Sequence, residues 1–215
     1  MPGAESDVTG RVPVLHLVTD DAVLARSDFR ACAGAAVEAG GAAVALHLRG
    51  PATPGGHIFA LAADLRAVAS SHGALLVVND RVDVALAAGV DAVHLGERSL
   101  SVPEARMVLG PGARVGASVH DAERAALVAA EGSTWIFVGT LYATPTHPGR
   151  PGGGPDLVRG VARVAGAPLV GIGGVTPARV AEVRAAGAHG VAIVRGVWDA
   201  PDPARAVRDY LDALA

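Results

Sequence analysis

Apolar residues fall in short blocks along this chain, and two spacings alternate from one end to the other. Compact β-like runs occupy Val12–Thr19, Ala42–Arg49, Ala74–Asp80, Asp91–Gly96, Arg114–His120, Trp135–Thr140, Pro168–Gly174 and Gly190–Arg195. Between them the apolar positions recur at helical spacing over Asp28–Ala39, Ile58–Ser70, Val82–Ala88, Val102–Leu109, Ala122–Glu131, Leu157–Val164, Pro177–Ala186 and Pro203–Leu214. Runs such as Ala74–Val78 are apolar at every position, as expected of strands covered on both faces of a parallel sheet. Eight strands alternating with eight helices predict an α/β protein, and the count favours a closed (β/α)8 TIM barrel over an open doubly wound sheet.

The ends of the helical runs carry matching signals. Ser101, Asp121, Thr176 and Asp202 stand where an N-cap is needed, and Pro103, Pro177 and Pro203 sit in first turns, where a missing N–H costs nothing. Ala39-Gly40, Ala88-Gly89 and Ala186-Gly187 read as helix C-termini. A weak repeat, at Ala87–Val93 and again at Ala185–Val191, spells the same sequence of helix end, turn and strand start.

Composition narrows the function. The chain of 215 residues suits one domain, 1–215, and 51% hydrophobic residues with only 3% aromatics require an aliphatic core. A net charge of −3 and the lack of a basic tract argue against a nucleic-acid or membrane-surface partner. Every basic residue is Arg; without Lys, a Schiff-base mechanism is excluded. The single cysteine, Cys32, reads as a buried thiol in a reducing compartment. Met1–Asp7 lacks a signal-peptide layout and no apolar run reaches membrane-spanning length, so a cytoplasmic protein is expected. A homo-oligomer is compatible with all of this.

In a barrel the chemistry gathers at the C-terminal ends of the strands. Those ends carry Thr19-Asp20, His47 and Arg49, Asn79-Asp80, His94 and Gly96, Ser118 and His120, Gly171-Ile172-Gly173-Gly174, and Arg195-Gly196. The sixth strand runs into a long Pro/Gly-rich loop, Val138–Gly154, which suits a cover over a site. Gly173 and Gly174 before the Thr176-capped helix, together with Arg195-Gly196, form a candidate phosphate cradle. Asn79-Asp80 fits either a metal or polar-substrate site or an Asx turn. Arg49 fits an anion contact or a rim ion pair. His16 and His94 read as core histidines; His57, His72 and His189 read as structural or solvated. His120 shares a face with Ser118 at the mouth, where an imidazole can move protons; a contact with the next helix, capped by Asp121, is the alternative.

These residues, in this order, resemble the thiamine phosphate synthase and thiazole tautomerase (TenI) superfamily over nearly the whole chain. The marks are Leu17-Val18-Thr19-Asp20, Leu46-His47-Leu48-Arg49, Val78-Asn79-Asp80-Arg81-Val82-Asp83, Val93-His94-Leu95-Gly96, Gly116-Ala117-Ser118-Val119-His120, Thr144-Pro145-Thr146 and Gly171-Ile172-Gly173-Gly174-Val175-Thr176. The synthase branch couples an aminopyrimidine diphosphate to a thiazole phosphate with Mg²⁺. Relative to its pattern, His47 replaces a Gln, Pro51 a Lys, Ser99 a metal-binding Asp and His147 a Lys, while Asn79 and Asp80 are kept. Losing diphosphate contacts while keeping the thiazole side favours the tautomerase branch. There His120 would move a proton without any cofactor, Thr144, Thr146, Gly173, Gly174, Arg195 and Gly196 would hold the phosphate, and Arg49 or His47 would receive the carboxylate. The alternatives are the synthase itself, with Mg²⁺ on Asp80, and a non-catalytic binder of thiazole phosphate. A different phosphate-binding isomerase is disfavoured by Asn79–Leu86 and Ser118–His120.

Overall fold

The computed structural model describes residues 11–90, 92–144 and 152–215. Its elements run β1 (Leu15–Val18), α1 (Asp21–Leu24), α2 (Phe29–Gly40), β2 (Val44–Leu48), α3 (Gly55–Ser71), β3 (Leu75–Asn79), α4 (Val82–Ala88), β4 (Ala92–Leu95) and α5 (Val102–Leu109). They continue with β5 (Arg114–Val119), α6 (Ala122–Ala130), β6 (Trp135–Val138), α7 (Gly154–Ala162), β7 (Leu169–Ile172), α8 (Pro177–Ala185), β8 (Gly190–Ile193), α9 (Arg195–Trp198) and α10 (Pro203–Leu214). The strands close in sequence order, β8 pairing with β1, and each neighbouring pair is parallel. This is the TIM barrel that the alternating pattern predicts.

Strand alternation divides the apolar residues into two shells. Leu15, Leu17, Val44, Leu46, Leu48, Val78, Val93 and Val115 belong to the larger core, shared with buried helix residues such as Phe29, Leu61 and Val180. Val18, Ala45, Val77, Ala92, Trp135, Phe137, Val170 and Ala192 form a second cluster inside the barrel. Three histidines share that interior: His16, His47 and His94 are 0%, 0% and 2% exposed. The register explains their gathering, since Val18 pairs with His47, and Asn79 with His94.

Capping follows the sequence at most starts. Ser101 and Glu104 form a reciprocal capping box on α5, and Asp121 and Asp202 accept from Arg124 and Arg205 amides. Thr176 precedes α8 without a side-chain cap bond. Two short helices, α1 and α9, lack a periodic signature because one turn carries too few residues to show a spacing. α9 also corrects the boundary of the last strand: Arg195 and Gly196 open a helix rather than end β8. The turn is held by Trp198, whose indole donates to the Val18 carbonyl at 2.8 Å and packs edge-on against Phe29. His189 corrects a second expectation. It is half-buried, with Nε2 2.8 Å from the Val12 carbonyl, rather than solvated. Cys32 is likewise only partly buried, beside Asp28 and Arg26, and burial and the Asp28 charge raise its thiol pKa. Asp91, at the start of the fourth predicted strand, lies outside the described residues.

Candidate active site

The strand C-termini place a ring of polar groups at one end of the barrel. Between β1 and β2, the buried Thr19 hydroxyl lies 3.1 Å from the His47 carbonyl and 2.9 Å from that of Arg49, and accepts the Arg49 amide at 2.8 Å. This ties down the backbone that carries Arg49. The Arg49 side chain is half-buried and makes no ion pair among the described residues. Its charge also contributes to lowering the His94 pKa, after burial and His47. An unpaired cation just beyond the end of β2 is electrostatically prepared for an anion.

At the end of β3, Asp80 takes a left-handed backbone conformation, φ 62°, which few non-glycine residues adopt. Its Oδ1 accepts the Gly96 amide at 2.8 Å and so joins the ends of β3 and β4. Oδ2 has no partner among the described residues. Beside it, Asn79 is 6% exposed and its side-chain amide lies 3.0 Å from His47 Nδ1. Among the described residues no group of three or more His, Cys, Asp or Glu side chains forms a ready-made metal cage. Mg²⁺ needs none, since it binds through one or two carboxylates together with substrate phosphates and water. Asp80 therefore fits such an ion provided the substrate brings the phosphates.

His47 does not stand where the sequence put it. Expected to receive a carboxylate at the mouth, it is wholly buried, with Nε2 2.8 Å from His16 Nδ1 and Nδ1 on Asn79. The strand pattern could not show this, because both faces of β2 are apolar or buried. His16 Nε2 in turn lies 3.0 Å from the Pro13 carbonyl. Burial pushes the His47 pKa down to about 3, and holds His16 and His94 well below the ordinary imidazole value. A second buried chain runs from Trp135 Nε1, which donates to His94 Nδ1 at 3.0 Å, through His94 Nε2, which lies 2.8 Å from the half-buried Ser118 hydroxyl.

His120, two residues beyond Ser118, is exposed at the mouth. Its Nδ1 donates to the Gly139 carbonyl, so the end of β6 fixes the ring and its tautomer. Nε2 is left facing Glu97, 3.8 Å away. Glu97 carries no sequence signal of its own; only the closeness of the two loops brings it to His120.

Beside it, the loops after β6 and β7 are stitched together. Leu141 and Tyr142 amides donate to the Ile172 and Gly173 carbonyls, both at 2.9 Å. Gly173 and Gly174 have φ of 97° and 64°, and a methyl on either would press within 3.0 Å of Thr140 or of Ala143 and Tyr142. Arg179 stacks 4.3 Å over the Tyr142 ring and donates to the Gly174 carbonyl, while the Tyr142 hydroxyl bonds Glu182 at 3.1 Å. These three side chains brace the candidate phosphate loop, and sequence reasoning missed them because they lie on α8 and the loop surface. Thr144 is on the same loop. Thr146, His147 and Arg150 lie outside the described residues.

The guanidinium of Arg195 is engaged with Asp20 at 2.5 Å and Asp199 at 3.3 Å. It bridges the ends of β8 and β1 and is not held free for a phosphate in this arrangement. Gly196 is needed for packing: a methyl there would meet the Tyr210 hydroxyl at 2.3 Å, and that hydroxyl donates to the Val175 carbonyl at 3.0 Å.

Fold and mouth together define a TIM barrel whose polar groups are suited to anionic, phosphorylated small molecules. The sequence pattern of the family described as thiamine monophosphate synthase (TMP-TENI) matches residues 15–197, and the chain belongs to that family. A thiamine-phosphate synthase from Methanoculleus marisnigri is 39% identical over 202 residues, covering 94% of this chain and 95% of the relative. One from Mycobacterium sp. (strain KMS) is 46% identical over 151 residues, 70% of this chain and 67% of the relative. The bifunctional protein ThiM/ThiE of Symbiobacterium thermophilum is 51% identical over 155 residues, 71% of this chain; the match spans only 32% of that longer protein. Among solved structures, a thiamine phosphate pyrophosphorylase from Pyrococcus furiosus superposes with a TM-score of 0.81 at 26% identity, covering 94% of this chain and 95% of that one. The tautomerase branch, favoured by the substitutions at His47, Pro51, Ser99 and His147, is not singled out by these relatives, two of which are named thiamine-phosphate synthase and one a thiamine biosynthesis bifunctional protein.

Proposed function

We propose that the protein is a thiamine-phosphate synthase, a transferase that joins an aminopyrimidine diphosphate to a thiazole phosphate and releases diphosphate. The observation that carries this reading is the likeness to a synthase-named relative over nearly the full length of both chains. The mouth agrees with it. Arg49 supplies an unpaired cation for the diphosphate, and Asp80 is the carboxylate that would hold Mg²⁺ together with that group. Bound there, the ion would neutralise charge on the leaving diphosphate. Asn79 and Ser118 face the pyrimidine, while Thr144, Thr146, Gly173, Gly174 and the first turn of α8 hold the thiazole phosphate. Gly196 contributes from the start of α9; Arg195 joins the phosphate only by exchanging a carboxylate partner for it.

A tautomerase remains the second reading, and His120 favours it. With Nδ1–H donated to the Gly139 carbonyl, Nε2 offers a lone pair that can take a proton from one ring carbon and return it to another. Ser99, standing where the synthase pattern has an Asp, points the same way.

Purified protein offered the two substrate sets separates the readings. Metal-dependent diphosphate release from pyrimidine diphosphate plus thiazole phosphate supports the synthase. Metal-independent aromatisation of the carboxythiazole phosphate, lost in His120→Asn, overturns it in favour of the tautomerase. Binding of thiazole phosphate with no turnover of either set overturns both in favour of a non-catalytic binder.

A further inference from the structure

Hydrogen-bond logic fixes the polarity of one mouth group without any titration argument. The indole of Trp135 can only donate, and it donates to His94 Nδ1 at 3.0 Å. Nδ1 is therefore unprotonated, and the single proton of a neutral imidazole resides on Nε2. Nε2–H then donates to the Ser118 oxygen, 2.8 Å away. The reverse direction would leave His94 with no proton on either nitrogen, an imidazolate that a buried site without a metal does not sustain. The Ser118 oxygen is thus an acceptor toward His94, and its own proton must point elsewhere. Among the described residues the hydroxyl has no other partner, and Ser118 is only half-buried, on the strand that leads to His120.

We propose that Trp135 and His94 are positioning residues that make Ser118 an obligate hydrogen-bond donor to the substrate in the barrel mouth. The substrate atom it meets must be an acceptor, which on an aminopyrimidine is a ring nitrogen and not the amino group. Gly116 belongs to the same device. A methyl at that position would stand 2.2 Å from the Trp135 indole and 2.7 Å from His94 Nδ1, so only glycine lets the two rings meet. His94 is further clamped by Phe137, with ring centroids 4.0 Å apart. A chain of polarised donors is stronger than its separate links, which gives the buried indole influence over a hydroxyl it never touches.

The identity of the substrate atom rests on the synthase reading; the direction of the chain does not. Two measurements on the full protein keep them apart. In nitrogen NMR of histidine-labelled wild-type protein, with the His94 signals assigned by their loss in His94→Gln, the proposal requires protonated Nε2 and unprotonated Nδ1. A protonated Nδ1 overturns it whatever the protein catalyses. The second measurement is a kinetic cycle with pyrimidine diphosphate, thiazole phosphate and Mg²⁺. Trp135→Phe should lower kcat/KM about threefold to tenfold in the wild-type background, the worth of one weakened neutral hydrogen bond. It should have no further effect once Ser118→Ala has removed the hydroxyl, while Ser118→Thr, which keeps a hydroxyl, should retain the sensitivity. Equal losses in both backgrounds would mean that Trp135 acts only through packing and would overturn the proposal. Should Trp135→Phe fail to fold, the nitrogen spectrum still decides. Should no coupling occur with these substrates, the synthase reading falls and the spectrum still judges the chain.

Discussion

Acid should unfold this barrel far earlier than its carboxylates alone would dictate. His16, His47 and His94 are buried and neutral, and each is held below the ordinary imidazole pKa of 6.5, His47 at about 3. In the unfolded chain each returns to the ordinary value. The unfolded state then binds more protons, so stability is fully present above about pH 6.5 and falls as pH drops toward the folded-state values. His47 alone contributes a slope of about 1.4 kcal/mol per pH unit below the ordinary value, and His16 and His94 steepen it in the same direction. Between about pH 7 and pH 5 the loss from His47 alone is about 2 kcal/mol, and His16 and His94 add to it in the same direction, a substantial part of the stability of a typical domain. Carboxylates whose pKa is lowered by partners, such as Asp28, Asp83 and Glu104, lie on the surface and begin to protonate only below that window. The assay is urea unfolding followed by the fluorescence of the two buried tryptophans, Trp135 and Trp198, repeated at half-unit steps of pH. His47→Gln removes one titrating group, and its slope should fall by about 1.4 kcal/mol per pH unit relative to wild type. A stability that stays flat between about pH 7 and pH 5 would refute the reasoning, because it would mean that the three rings exchange protons as freely folded as unfolded.

Three other outcomes follow from the same structure. Gly116→Ala should destabilise the fold by about 1–3 kcal/mol through overpacking against Trp135, seen as a lower urea midpoint with an unchanged slope. Asp80→Asn keeps the amide contact to Gly96 and tolerates the left-handed backbone, so the melting temperature should barely move; coupling activity should fall at least about a hundredfold and no longer respond to added Mg²⁺. Tyr210→Phe removes the hydrogen bond to the Val175 carbonyl and should cost about 1 kcal/mol, measured by thermal or urea unfolding.

Much of the fold was legible in the chain because alternation of strand and helix spacing is a local property. β5 shows this well: the spacing predicts a strand over Arg114–His120 and the strand spans Arg114–Val119, with Asp121 capping the helix that follows. The short helix α9 was not legible, since its existence depends on Trp198 reaching the Val18 carbonyl across 180 residues. The site was half legible. Asp80, Ser118 and His120 stand at strand ends as their positions in the pattern implied. His47 does not, and Arg195 pairs with Asp20 rather than standing free. Both depend on partners from strands that are distant in sequence.

The sequence by itself determined a parallel barrel, the strand ends on which its chemistry would gather, and the family to which those residues are similar. These follow from apolar spacing, caps and short ordered motifs, which each segment carries within itself. Only the tertiary structure decided which buried polar groups meet. A strand covered on both faces has no polar side to mark its orientation, so His16 and His94 read as core histidines while His47 gave no sign that it joins them inside the barrel. Closing the sheet brought β1, β2, β4, β5 and β6 around one axis. There Trp135, His94 and Ser118 acquired a direction of hydrogen bonding that none of them has alone.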